Sequence, residues 1–139
     1  MSMVGGFPKD LDIKATVNAE VNCHPNPILP PDTTTEFPDD TTRTVLSYTA
    51  TGNGTKVRWI GASGDVFGDY VVKLNGTKIR ASSSHPAKGN DVEFLWHECL
   101  PLNDGDILTV EFTPCRVVEP FGIGNPAKIC SSLQGFRVP

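Results

Sequence analysis

Short runs of alternating apolar and polar residues, broken by Asn-Gly, Gly-Asp and Asp-Gly-Asp, recur along the chain. In the cleanest, Leu11, Ile13, Ala15, Val17, Ala19 and Val21 alternate with Asp12, Lys14, Thr16, Asn18 and Glu20. Successive side chains of a strand point to opposite faces, so this period of two predicts a strand with one face buried and one wet. The same reading predicts strands at Arg43 to Ala50, Lys56 to Gly61, Val66 to Leu74, Thr77 to Ser82, Asp91 to Cys99 and Ile107 to Thr113. In the last of these Leu108, Val110 and Phe112 face one way while Thr109, Glu111 and Thr113 face the other. Between Val66 to Leu74 and Thr77 to Ser82 stands Asn75-Gly76, the pair best able to take the positive φ angles of a type I′ turn, so a hairpin is predicted there.

Asn22 to Thr42 breaks the pattern with Pro25, Pro27, Pro30, Pro31 and Pro38 among threonines and acidic residues. Proline fixes φ and donates no hydrogen bond, so this stretch is expected to be an extended connector or arm, with Pro25, Pro27, Pro30, Pro31 and Phe37 as candidate contacts to neighbouring subunits. The Gly- and Pro-rich end from Pro114 to Pro139 predicts only short strands, near Arg116 to Glu119 and Gln134 to Val138. The 13 Gly and 12 Pro of the chain disfavour long helices. The expected fold is all-β: a single antiparallel β-sandwich, jelly-roll or Ig-like, with an extended Pro-rich arm. Its expected division is an N-terminal strand plus arm at 1–41, a sandwich core at 42–114, and a C-terminal segment at 115–139 packing on the core or a neighbour.

With 139 residues the chain is long enough for one domain with a sizeable core, without help from disulfides or metals. The net charge of −4, with 12 Lys and Arg scattered singly, disfavours nucleic acid as a partner. No apolar run approaches the ~20 residues of a membrane span, and Met1-Ser2-Met3-Val4-Gly5-Gly6 lacks the basic and apolar regions of a secretory signal, so a product made in a cytoplasm is expected. In that setting Cys23, Cys99, Cys115 and Cys130 are expected to be reduced thiols.

Candidate chemistry is sparse. Asn103-Asp104-Gly105-Asp106 offers oxygen ligands but lacks the further spaced carboxylates of a calcium loop, and a turn between strands explains it with less. His97 and Cys99 would share a strand face with Glu98 opposite, yet neither CxxC nor HExxH accompanies them, and His24 and His85 read as solvated loop residues. Gly61-Ala62-Ser63-Gly64-Asp65 fails both the nucleophile-elbow and phosphate-loop patterns and reads as a connection between strands. The carboxylates Asp65, Asp69, Glu93 and Glu98 carry no spacing that marks a glycosidase pair. Asn53-Gly54-Thr55 and Asn75-Gly76-Thr77 match a glycosylation sequon but are read as turns. No catalytic, cofactor or metal residue is therefore assigned, and a non-enzyme is expected. Aromatic faces suit the apolar faces of sugars, which makes Trp59, Trp96 and Tyr70 candidate glycan contacts, although aromatics in alternating strands are more often core.

Tyr48-Thr49-Ala50, Ser63-Gly64-Asp65, Val72 to Thr77 and Leu102 to Val110, with its Asn103-Asp104-Gly105-Asp106 turn, resemble the small β-sandwich structural proteins of tailed bacteriophage particles. The likeness covers about residues 42 to 114. It implies a capsid decoration (cement) subunit, or a module of a tail, collar or fibre, with no catalytic residues to carry over. The expected role is a virion structural protein, made in the bacterial host cytoplasm, that stabilises the particle by multivalent contacts with capsid or tail subunits and acts as a homo-oligomer or multicopy component. The alternative is a host-recognition adhesin binding a surface glycan through Trp59 or Trp96.

Overall fold

The computed structural model describes residues 26–28, 33–37, 41–115 and 127–138, and for 26–28 the backbone alone. Leu11 to Val21, Arg116 to Glu119 and most of the Pro-rich stretch lie outside the described residues. The described residues form nine strands: β1 (Asn26–Ile28), β2 (Thr33–Phe37), β3 (Arg43–Thr49), β4 (Thr55–Gly64), β5 (Gly68–Leu74), β6 (Thr77–Ser83), β7 (Val92–Leu102), β8 (Ile107–Pro114) and β9 (Ala127–Arg137). Among the described residues no helix is long and apolar enough to cross a membrane.

The strands form an antiparallel β-sandwich. One sheet has the order β3-β8-β5-β6. In the other, β9 and β4 are central and β7 is one edge. The opposite edge is shared by two strands end to end: β2 pairs with Ala127 to Ser131 of β9, and β1 with Gly135 to Arg137. The expected arm thus contributes strands, and Phe37, a candidate subunit contact, is completely buried in the core. Its place follows from the pairing Phe37↔Ala127, which turns the ring inward beside another fully buried residue. Pro27 lies in β1, while Pro25, Pro30 and Pro31 fall outside the described residues. The sandwich also reaches beyond 42–114, because β9 runs through the middle of its sheet.

The core follows from the alternation. Tyr70 and Val72 of β5 and Leu108, Val110 and Phe112 of β8 are fully buried, and they face Val57 and Ile60 of β4 and Ile129 and Leu133 of β9 from the other sheet. Phe112 is the hub. Phe37 meets it edge-on at 5.2 Å, and Tyr70 lies tilted at 4.6 Å. Such aromatic pairs add about 0.5–1.5 kcal/mol beyond the area they bury. Gly68 makes this packing possible, since a Cβ there would strike the Phe112 ring and the Thr113 carbonyl.

Side chains close both sides of the sandwich. On one side the Thr33 hydroxyl donates to the Val45 carbonyl, and Arg137 donates to the Tyr48 hydroxyl at 3.4 Å. On the other, Arg80 of β6 donates to the Leu95 carbonyl of β7 at 3.0 Å while its guanidinium lies 4.8 Å from the Trp96 ring centre.

Candidate functional site

Two regions of the described residues bear on a candidate site. The first is one end of the sandwich, where three turns meet. Asn75, at φ 51°, and Gly76, at φ 85°, make the predicted β5–β6 reversal. The Asn75 amide donates to an Asp106 carboxylate oxygen at 3.0 Å, and its carbonyl oxygen accepts the Ile107 N–H at 2.9 Å. The second Asp106 oxygen accepts the Asn103 N–H at 2.8 Å. Asp104 accepts the Gly52 N–H at 2.6 Å, and Asn53 accepts the Asp104 N–H at 2.9 Å. These bonds brace the β3–β4, β5–β6 and β7–β8 connections into one unit. The hydrogen bonds from Asn75 and then from the Asn103 N–H hold the Asp106 carboxyl below its ordinary pKa, because they favour the charged form.

The second region is the outward face of β9, β4 and β7. Beyond the inward row of Val57, Ile60 and Ala62, β4 presents Trp59, Gly61 and Ser63. The pairings Trp59↔Leu95 and Gly61↔Glu93 set β7 on one flank, and Trp59↔Gln134, Gly61↔Ser132 and Ser63↔Cys130 set β9 on the other. The Trp59 ring lies over Gly61, at a place where any Cβ would collide with it. With the ring laid down on Gly61 and small side chains around it, a groove of about 240 Å³ remains, its lining including Trp59, Gly61, Ser63, Asp91, Glu93 and Ser132. Within the described residues, the side chains of Ser63, Asp91, Glu93 and Ser132 make no hydrogen bond or ion pair.

The three aromatic candidates therefore have different fates. Trp59 is half-buried and borders the groove. Trp96 packs on the core, 6.5 Å from Phe94, and its ring already carries Arg80. Tyr70 is fully buried and offers no face to a sugar, since the pleat of β5 turns it inward with Val72. Burial first, and the Asp91 charge second, push its phenol up to about 12.

The His97–Cys99 expectation fails on backbone geometry. Val57 pairs with Leu100 and Trp59 with Leu95, so β7 bulges between residues 95 and 100 and the alternation is lost. Cys99 takes a positive φ of 62°, and His97 and Glu98 are both exposed. Burial pushes the Cys99 thiol up, with Arg58 and Lys56 pulling the other way. Cys99, Cys115 and Cys130 are free thiols, and Cys23 and His24 lie outside the described residues. His85 is exposed and forms a bridge with Gly89.

Two further carboxylates are engaged: Asp65 accepts the Lys128 N–H at 3.0 Å, and Asp69 of β5 accepts the Ser83 hydroxyl at 2.6 Å. Gly61 to Gly64 belong to β4 itself and not to a connection. Among the described residues no group of three His, Cys, Asp or Glu side chains is placed to hold a metal.

Sequence reasoning found only the end of β9, near Gln134 to Val138, and missed the stretch from Ala127 to Leu133 that completes its central place in the sheet. Ala127, Ile129, Ser131 and Leu133 do alternate with Lys128, Cys130, Ser132 and Gln134, but a serine at a core position weakens the signal. Ser131 is tolerated inside because its hydroxyl donates to the Gly61 carbonyl at 2.9 Å. Comparison with protein-family models finds no match, and comparison with curated proteins finds none either.

Proposed function

We propose that this protein is a non-enzymatic structural subunit of a tailed-phage particle, a decoration (cement) protein that docks on capsid or tail neighbours and works through many copies. The observation that carries the reading is the braced loop end. The turns that resemble phage sandwich proteins, Asn75-Gly76 and Asn103 to Asp106, are the ones locked together by side-chain hydrogen bonds. A surface ordered before contact loses little entropy on docking, and repeated copies turn modest contacts into avidity. Made in the host cytoplasm, such a subunit would act within the virion.

The test mixes the purified chain with phage particles that lack it and follows co-sedimentation, with mass by light scattering in parallel. Retention on particles, weakened by Asp104→Ala, is expected. A chain that stays monomeric and sediments without particles would sink the reading.

A further inference from the structure

The groove beside Trp59 has a chemistry of its own, independent of docking through the loop end. An indole bordering an open cavity supplies a flat apolar surface. The rim is polar. Asp91 and Glu93 are carboxylates, which when ionised only accept hydrogen bonds, and Ser63 and Ser132 both donate and accept.

A ligand that fits needs a flat C–H face for the indole and several hydroxyl or ammonium donors at its edge for the carboxylates. A pyranose ring has both. The volume, about 240 Å³, lies below the roughly 300–1,000 Å³ of drug-sized sites and suits one sugar unit. Charge decides among sugars: two carboxylates repel the carboxylate of a sialic or uronic acid and tolerate a neutral or protonated amino sugar.

We propose that the Trp59 groove binds one neutral or amino pyranose unit of a glycan and rejects acidic ones. Trp59 supplies the stacking face, Asp91 and Glu93 accept from the sugar's hydroxyl or ammonium groups, and Ser63 and Ser132 complete the polar rim. Gly61 has no side chain, so the indole lies down on the strand there and turns its other face outward. A single shallow site binds weakly, so useful retention comes from many copies on a multivalent surface.

The test measures binding of the full chain to beads bearing neutral glycans, amino-sugar glycans, or sialylated and uronic forms of the same scaffolds. Beads carrying Lys- and Arg-rich peptides are included. Retention on neutral or amino-sugar beads is expected, falling on the order of tenfold or more in Trp59→Ala. Glu93→Gln keeps the shape and admits acidic glycans that the parent rejects. Far-UV spectra and melting curves establish that both variants are folded, and Glu93→Gln carries the test where Trp59→Ala is not. Equal retention of acidic and neutral glycans would overturn the charge selection. Retention unchanged in folded Trp59→Ala would overturn the site. Binding to the cationic peptides alone, or to no bead, would overturn the saccharide assignment. Particle docking is measured separately, so either idea can fail without the other.

Discussion

The braced loop end and the Trp59 groove draw on similar polar residues and put them to opposite uses. At the loop end, Asn53, Asn75, Asp104 and Asp106 are committed to backbone groups or to each other. In the groove, Ser63, Asp91, Glu93 and Ser132 make no such bonds within the described residues. Turn backbones leave N–H groups that some acceptor must satisfy, whereas the groove rests on strands whose ladders already pair their backbone. Polar side chains at the loop end therefore belong to the fold, and those in the groove remain available to a ligand.

The contrast can be broken most severely at the core that supports both regions. Phe112→Ala removes the ring packed by Phe37 and Tyr70 and should cost about 3–5 kcal/mol by urea unfolding, with the two regions losing protection together in hydrogen exchange. Asn75→Ala attacks the loop end alone. It loses two hydrogen bonds and places alanine at positive φ, for about 2–3 kcal/mol. A loss under about 0.5 kcal/mol would mean that the bracing adds nothing beyond ordinary surface contacts.

The regions should also part with pH. Tyr70 is raised in the folded state, so its stabilising contribution is fully present below its ordinary pKa of 10.0 and is lost as pH rises toward about 12. Phenolate absorbance from Tyr70 should appear together with unfolding. Asp106 is lowered, so its smaller contribution is present above the ordinary 3.8 and is lost as pH falls through the folded value. Amide shifts of Asn103 and Ile107 followed by NMR should move in acid before the β4 and β9 amides do. The smallest effect belongs to the groove, where Glu93→Gln or Ser132→Ala should change stability by no more than about 0.5 kcal/mol. A larger loss would mean that these side chains hold the sheet together.

Local chemistry was legible in the chain. Asn75-Gly76 gave its hairpin, and the strands from Arg43 to Thr113 stand close to where alternation placed them. Trp59 was also named from its residue type alone. What alternation could not supply was orientation. A period of two puts Tyr70 on one face of its strand, but the partner sheet decides whether that face is core or surface, and around Phe37 the prolines hid the strand altogether. It could not see the bulge between residues 95 and 100 either, because no Gly or Pro marks it and the extra length shows only against β4.

By itself the sequence determined the all-β class, the turns and most of the strands, since these depend on backbone preferences and neighbours a few residues apart. The tertiary structure alone decided that Thr33 to Phe37 would pair with Ala127 to Ser131, and that Gly61 would meet Ser132 on one side and Glu93 on the other. Those choices join residues far apart in the chain. They are set by which apolar faces can be buried together, and no local pattern encodes that.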